Sequence, residues 1–205
     1  MRERQSFDPV VLLSGGVGGA RLARGLAAVL PPEALTVVVN VGDDAEFYGL
    51  QVCPDLDTVA YTLAGREGPL GWGVADDTFE VMDRLAALGV DTRFRVGDTD
   101  LATNLSRSAA LRSGQPLSTV TARLAAALGV TCRLLPATDD PLRTAVRIAA
   151  GDWLPFQDYF VLRQHRDEVT ALAYEGAAAA RPAPGVLDAL AAAAAVVIAP
   201  SNPPL

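Results

Sequence analysis

The sequence has no lysine, one histidine and two cysteines among its 205 residues. Because Cys53 and Cys132 are far apart and match no zinc-ligand spacing, we interpret both as reduced thiols, which is typical of cytoplasmic proteins. The single histidine, His165, lies in no recognisable catalytic motif, so we interpret it as a surface residue. These scarcities argue against a disulfide framework and a structural zinc site.

Positive charge and long apolar runs are also scarce. The net charge of −7 argues against a nucleic-acid partner, although one bound nucleotide is compatible with it. The longest apolar run, 189–200, is too short to span a bilayer. Residues 1–9 are polar, so we predict no signal peptide, no membrane partner and a cytoplasmic location.

A glycine-rich turn near the N-terminus is the most informative segment. An apolar run at 10–13 predicts a strand, residues 14–19 read Ser-Gly-Gly-Val-Gly-Gly, and an amphipathic helix is predicted from Ala20 to Leu30. Without side chains, the glycine backbone amides can approach an anion at the start of a helix. The turn therefore predicts a phosphate or diphosphate cradle, with an empty tight turn as the alternative. The cradle residues would be Ser14, Gly15, Gly16, Gly18 and Gly19.

The turn does not match the common phosphate-binding fingerprints. A Walker loop is excluded because no lysine follows the glycines, and the dinucleotide fingerprint fits only loosely. Arg21 and Arg24, one turn into the helix, would either add positive charge near a phosphate or be solvated.

The second predicted strand, 35–40, leads into an acidic segment. Strand, helix and strand form a βαβ unit, so residues 41–58 begin at the same sheet edge as the glycine turn. Carboxylates at this edge predict a Mg²⁺ site, for which Asp43 and Asp57 are the favoured pair. The alternative is that Asp55 or Asp57 caps a helix over 58–64.

Acidic residues follow two further predicted strands. The segments 97–100 and 136–141 follow predicted strands at 92–96 and 130–135, so they are predicted to approach the same edge. Asp76–Thr78 is predicted to cap a helix ending near Leu88, and Ser118 one ending at Leu128. Trp72 is interpreted either as a stacking surface for a flat heterocycle or as part of the core. The remaining predicted elements are a helix at 101–113, strands at 143–149, 167–176 and 196–199, and a helix at 186–195.

Alternation of strands and helices predicts the fold class. We expect an α/β, Rossmann-like, doubly wound and mostly parallel sheet with helices on both faces. Residues 1–205 are predicted to form a single nucleotide-binding domain, with 142–176 as a small subdomain or insertion.

Seven motifs carry a resemblance to a known family. They recur in order along the chain, at 14–21, 40–44, 53–58, 97–100, 135–140, 156–158 and 200–203. The sequence resembles the 2-phospho-L-lactate transferases, with Pro-Asp-Leu-Asp-Thr and Pro-Ser-Asn-Pro as the more specific strings. Those relatives commonly continue well past the last motif, and many carry arginine where this chain has Thr99.

The resemblance implies a role in making the deazaflavin coenzyme F-420. A family enzyme would transfer a phospho-lactyl or phosphoenolpyruvyl group from a guanosine-diphospho donor to the ribityl hydroxyl of Fo, releasing GMP. It implies Mg²⁺ as cofactor, these small molecules as partners, and a homodimer. A related nucleotide-binding regulator without transferase activity is the alternative, and a dinucleotide-dependent oxidoreductase fits less well because no catalytic Lys or Tyr motif is present.

The resemblance also suggests site residues. The glycine turn and Arg21 would hold the guanosine diphosphate, with Ser201 and Asn202 lining the nucleotide cleft. Asp43 and Asp57 would bind Mg²⁺, and Asp57 is our candidate to take the proton of the acceptor hydroxyl. Further substrate-contact candidates are Asp44, Asp55, Thr58, Trp72, Asp98 and Asp100.

Overall fold

The computed structural model describes residues 8–200 as an α/β protein. Within that range the chain forms nine strands and six α-helices, together with a short 3₁₀ turn at Pro32–Ala34 and a π-helical turn at Asp158–Leu162. In chain order they are β1 (Val10–Ser14), α1 (Gly16–Val29), β2 (Leu35–Val39), β3 (Ala45–Phe47), β4 (Leu50–Val52), α2 (Pro54–Leu63), α3 (Glu80–Ala87), α4 (Asp98–Arg112), α5 (Leu117–Leu128), β5 (Arg133–Pro136), β6 (Arg143–Ile148), β7 (Trp153–Pro155), β8 (Val169–Glu175), α6 (Val186–Ala192) and β9 (Ala195–Ile198).

The central sheet has four parallel strands in the order β5-β2-β1-β9. Because β1 lies between β2 and β9, the strand order reverses beside the carboxyl end of β1, where the glycine-rich segment begins. Open α/β sheets bind ligands at such a reversal. The predicted parallel, doubly wound sheet is confirmed.

Helices cover both faces of this sheet. Leu12 and Val37 pack on one face in a cluster with residues of α1, α2 and α5. Val11 and Val38, their neighbours along the strands, pack on the opposite face in a cluster that includes residues of α6. Burial on both faces explains why β1 and β2 are continuous apolar runs rather than alternating ones.

Two antiparallel units accompany the parallel sheet. The strands β3 and β4 form a hairpin within the acidic segment, and its turn places Tyr48 at φ 56° and Gly49 at φ 70°. The strands β7, β6 and β8 form a separate sheet with a small core around Val146, Ile148 and Tyr159. This sheet falls within 142–176, whose status as a subdomain stays a prediction.

Several sequence-based boundaries and one predicted strand are wrong. The helix α1 begins at Gly16 rather than Ala20, so the glycine-rich segment is its first turn. No strand forms at 92–96; Phe94 stacks on Phe47 instead, with ring centroids 3.7 Å apart, and its carbonyl accepts a hydrogen bond from Tyr48. Side-chain packing and one irregular hydrogen bond replace the ladder that a strand would need.

None of the helices formed by residues 8–200 has the length and apolar character needed to cross a membrane.

Candidate functional site

The first turn of α1 stands at the carboxyl end of β1 and leaves no room for a side chain at Gly18 or Gly19. A Cβ on Gly18 would lie 2.3 Å from the Pro200 carbonyl oxygen, and one on Gly19 would lie 2.4 Å from Ser14 Oγ. Gly16 adopts a φ of +59°, which favours glycine. The hydroxyl of Ser14 is buried and has no hydrogen-bond partner among the described residues. A helix start with bare amides and an unsatisfied hydroxyl is suited to binding an anion.

The side chain of Asp55 joins three parts of the site. Its Oδ1 accepts a hydrogen bond from the Gly16 amide at 2.9 Å, and its Oδ2 accepts one from Asn40 Nδ2 at 3.0 Å. Asn40 Oδ1 in turn accepts a bond from the Gly42 amide at 3.0 Å. The glycine turn, the end of β2 and the first turn of α2 are thereby held together. Asp55 lies inside α2, which begins at Pro54, so the predicted capping of 58–64 by Asp55 or Asp57 is wrong.

Asp43 lies beside Asp55. Burial, followed by repulsion from Asp55, raises the pKa of Asp43 to about 7, although hydrogen bonds from Asn40 and Thr144 partly oppose the shift. Burial also raises the pKa of Asp55. Gln157 Nε2 donates to the Asp43 carbonyl at 3.0 Å and fixes the backbone of this residue. A cation between the two carboxylates would relieve their repulsion.

Asp44 is 3% exposed, and its Oδ1 has no hydrogen-bond partner within residues 8–200. Burial raises its pKa to about 7, while the Cys53 thiol and the charges of Arg107 and Arg143 partly oppose the shift. A buried carboxylate oxygen without a partner is costly. This atom is therefore suited to a cation or donor group of a ligand.

Asp57 faces away from Asp55 because residues two apart lie on opposite sides of a helix. Its carboxylate forms a bidentate ion pair with Arg107 of α4, with Arg107 Nη1 3.1 Å from Asp57 Oδ2. Arg107 Nη1 also lies 2.7 Å from Asn104 Oδ1 and 3.3 Å from the Gln51 carbonyl. The structure thus brings Asp43 next to Asp55, and Asp57 next to Arg107.

The other acidic candidates occupy two different settings. Asp100 accepts a 2.8 Å hydrogen bond from the Tyr61 hydroxyl, and burial, followed by repulsion from Asp57, raises the Asp100 pKa to about 7. Asp98 instead caps α3, accepting bonds from Thr78 Oγ1 and from the amides of Glu80 and Val81.

The capping is reciprocal. Asp77 accepts bonds from the Thr99 and Asp100 amides of α4, so it caps α4. The prediction that it caps the helix that follows it in the sequence, α3, is therefore wrong. Likewise Ser118 is no cap: its amide and hydroxyl donate to Asp139. Asp98 and Asp139 thus hold helix starts, and only the acidic segment after β2 meets the glycine turn through the contacts described.

Trp72 lies on a loop that leans against the start of α1. A Cβ on Gly71 would lie 2.6 Å from Val17 Cγ1 and 3.5 Å from Arg21 Nη2, so the loop and the glycine turn touch. An ion pair between Arg24 and Glu67 also joins them. Trp72 is 55% exposed, which rules out the interpretation that it fills the core.

The donor set fits magnesium in part. No three His, Cys, Asp or Glu side chains within residues 8–200 are grouped so that they could hold a metal ion by themselves. Asp43 and Asp55 nevertheless supply adjacent carboxylates, and Mg²⁺ typically takes one or two carboxylates together with phosphate oxygens and water. A cavity of about 360 Å³ lies elsewhere, between α5 and β5, and no residue of this site lines it.

The roles of the site residues suggested by the sequence stay predictions. Their surroundings in the structure differ from one residue to the next. Thr58 is buried in α2, and Arg21 lies near the Trp72 loop. Ser201 and Asn202 lie outside the described residues. The sequence analysis missed the residues that hold the carboxylates in place, which are Asn40, Asn104, Arg107, Thr144 and Gln157. Polar residues at helical spacing on α4 would have indicated Asn104 and Arg107.

Comparison with known proteins gives a family. The family described as 2-phospho-L-lactate transferase CofD matches residues 10–204. The chain is 45% identical over 199 residues to a phosphoenolpyruvate transferase of Streptomyces griseus, covering 95% of this chain and 63% of that protein. It is 46% identical over 200 residues to a phosphoenolpyruvate transferase of Kitasatospora aureofaciens, covering 95% and 62%. The chain thus spans less than two thirds of the length of these relatives.

The fold is also found in a solved structure. A UPF0052-family protein from Bacillus halodurans aligns with a TM-score of 0.63 at 18% identity, covering 95% of this chain and 59% of that one. At this identity the likeness concerns the fold alone. On the sequence match over 10–204, the chain belongs to the 2-phospho-L-lactate transferase CofD family.

Proposed function

We propose that this chain carries the nucleotide-binding part of a transferase in coenzyme F-420 biosynthesis. The enzyme would move a phosphoenolpyruvyl group from a guanosine-diphospho donor to the ribityl hydroxyl of Fo and release GMP. The observation that carries the proposal is the Asp55 side chain, which links the glycine turn to the acidic segment after β2. The names of the Streptomyces and Kitasatospora relatives favour the enolpyruvyl over the lactyl donor.

The glycine turn is our candidate for the diphosphate site. The first four amides of a helix have no intrahelical partner, and in α1 the amide of Gly16 is used by Asp55. The amides of Val17, Gly18 and Gly19, together with the Ser14 hydroxyl, are the groups that would donate to the diphosphate. The helix dipole adds favourable potential for an anion at the same place.

Asp43 is our candidate magnesium ligand, with Asp55 beside it. Asp57, which the sequence paired with Asp43, lies on the other side of α2 and is held by Arg107. When bound, Mg²⁺ would neutralise diphosphate charge and stabilise the leaving GMP.

In the transfer itself the ribityl hydroxyl oxygen bonds to the phosphorus that carries the three-carbon acid. The bond from that phosphorus to the GMP phosphate oxygen breaks, and GMP leaves with the electron pair. Asp57 takes the hydroxyl proton, and the Trp72 ring offers a surface on which a flat ring can stack. Positioning and charge neutralisation supply most of the rate enhancement in such transfers.

Two measurements test this proposal. The first is calorimetric binding of GDP to this chain with and without Mg²⁺, which we expect to give a one-to-one complex. The second incubates the chain, and a version extended to the length of its relatives, with Fo, the guanosine-diphospho donor and Mg²⁺. Release of GMP with a phosphorylated deazaflavin is the expected result. GDP binding without transfer by the extended protein would favour the regulator instead.

A further inference from the structure

Gln157 is a buried polar side chain that reaches the candidate site from another part of the fold. It is 6% exposed and lies shortly after β7, at the start of the π-helical turn. Its Nε2 donates to the Asp43 carbonyl at 3.0 Å, across 114 positions of the sequence. Tyr159 is buried in the core of the small sheet (β6, β7 and β8), and Phe156 packs against that core. The Gln157 amide therefore extends to Asp43 from a fixed backbone.

The small sheet also holds the residue before Asp43. Gly42 and Asp43 form a turn that is closed by a bond from the Asp44 amide to the Val41 carbonyl at 3.2 Å. The Thr144 amide of β6 donates to the Gly42 carbonyl at 2.7 Å. The two segments are so close that a Cβ on Gly42 would lie 2.7 Å from Thr144 Oγ1. Because loops ordinarily move more than the elements they connect, bonds to two successive carbonyls restrain this turn.

The chemistry of the Gln157 side chain suits this place. A primary amide donates a hydrogen bond without carrying charge. A basic side chain here would bring a positive charge towards Asp43 and Asp55 and would compete with a cation, whereas a glutamate would have no donor and would add negative charge. Gln157 thus fixes the backbone of Asp43 and leaves the charge of the two carboxylates available to a ligand.

Stability alone is a weak reason to keep this bond. Ordering a buried glutamine side chain costs at least as much free energy in lost rotamers as one hydrogen bond contributes net to folding. What the bond does provide is a defined position for Asp43. A ligand-binding group that is already held in place loses little conformational freedom when the ligand arrives.

We propose that Gln157 is a positioning residue that, by holding the Asp43 backbone, keeps the Asp43 carboxylate beside Asp55 for the magnesium ion of the nucleotide complex. The inference rests on the proposed function, in which Asp43 is the candidate magnesium ligand. Thr144 supports the same arrangement, since its amide holds the Gly42 carbonyl and its hydroxyl donates to the Asp43 carboxylate. The small sheet thus takes part in the site through its contacts with the acidic segment.

The test measures the ratio of the GDP dissociation constant in EDTA to that in Mg²⁺. Gln157→Met removes the amide donor at nearly constant side-chain size, and Thr144→Val removes the hydroxyl but not the backbone bond. One control, Gln115→Met, makes the same chemical change at an exposed glutamine after α4. The other, Ile148→Val, removes a methylene group from the core of the small sheet. Circular dichroism and urea unfolding establish that each variant is folded.

We expect Gln157→Met to lower the ratio about tenfold, the usual effect of losing a group that orients a metal ligand. Thr144→Val should lower it less, because the Thr144 amide keeps its bond. Both controls should leave the ratio unchanged, although Ile148→Val should lower the midpoint of urea unfolding. GDP affinity in EDTA should be the same for all four variants, since no diphosphate donor is altered.

A wild-type ratio in folded Gln157→Met would overturn the inference, and if that variant does not fold, a wild-type ratio in Thr144→Val would do so. An equal fall of the ratio in Ile148→Val would also overturn it, because lost stability of the small sheet would then explain the effect. The same holds for a wild-type chain that binds GDP equally well with and without Mg²⁺. A wild-type chain that binds no GDP would instead refute the proposed function on which the inference rests.

Discussion

Two glycines of α1 offer a matched test of the proposed diphosphate site. A Cβ on Gly18 would lie 2.3 Å from the Pro200 carbonyl oxygen, whereas a Cβ on Gly25 would have nothing within 4 Å. Gly18→Ala and Gly25→Ala therefore make the same chemical change in the same helix, once against a backbone atom and once in open space. Only the first forces the start of α1 away from the end of β9.

The expected energies follow from these distances. Gly25→Ala should raise the free energy of unfolding by about 0.5–1 kcal/mol, because alanine costs less backbone entropy in a helix. Gly18→Ala gains no more stability than this from backbone entropy, and overpacking against the Pro200 carbonyl lowers its free energy of unfolding by about 1–3 kcal/mol. The two variants should therefore differ in stability by about 1–3 kcal/mol.

Binding should separate the two variants as well. A shift of the first turn of α1 misplaces amide donors, and one lost hydrogen bond to a charged group is worth about 1.5–3 kcal/mol, or about tenfold or more in affinity. We expect Gly18→Ala to weaken GDP binding by this amount and Gly25→Ala to leave it unchanged. Urea unfolding and calorimetry give the two quantities. Wild-type GDP affinity in a folded Gly18→Ala variant would refute the placement of the diphosphate at this turn.

Three further substitutions test other parts of the site. Asp98→Ala should lower the midpoint of urea unfolding, because α3 loses its cap; an unchanged midpoint would contradict the capping role. Asp100 has a pKa raised to about 7, so its native carboxyl binds a proton more tightly than the unfolded one, and stability falls as pH rises from about 4 to 7. In Asp100→Asn the loss of stability between pH 4 and 7 should be smaller than in wild type by no more than about 4 kcal/mol, since one pKa unit corresponds to about 1.4 kcal/mol. Equal pH slopes for wild type and Asp100→Asn would contradict the burial argument. Asp43→Asn should lower the ratio of the GDP dissociation constant in EDTA to that in Mg²⁺ at least about tenfold while leaving GDP binding in EDTA intact; an unchanged ratio would exclude Asp43 as a ligand.

The sequence was sufficient for the parallel sheet and for the acidic segment after β2. Short, mostly apolar and β-branched runs such as 10–13 and 35–39 are typical of strands buried on both faces of a sheet. The carboxyl ends of adjacent parallel strands necessarily meet at one edge. The approach of Asp43 and Asp55 to the glycine turn follows from that rule.

The capping residues could not be assigned in the same way. The sequence places Asp77 just before α3 and Asp98 at the start of α4, and local rules pair each with its own helix. In the structure each carboxylate caps the other helix, which is a tertiary contact between residues about twenty positions apart. The same limit applies to Arg107, since nothing in its own neighbourhood of the sequence identifies Asp57 as its partner.

The strand predicted at 92–96 shows a different limit. The segment alternates in a way that suits a strand, but no strand within residues 8–200 pairs with it. Stacking of Phe94 on Phe47 and the contact of Arg95 with Asp83 fix the segment as an irregular connection. Strand formation depends on a partner, which a local pattern does not reveal.

The hydrogen bond from the Gly16 amide to Asp55 has a consequence for the chain without its nucleotide. An internal carboxylate already satisfies the first amide of the helix, so the turn keeps its shape before any phosphate arrives. The chain therefore supplies an anion of its own at this helix start, and the diphosphate of the proposed function would meet a turn that is already formed rather than one that it must first organise.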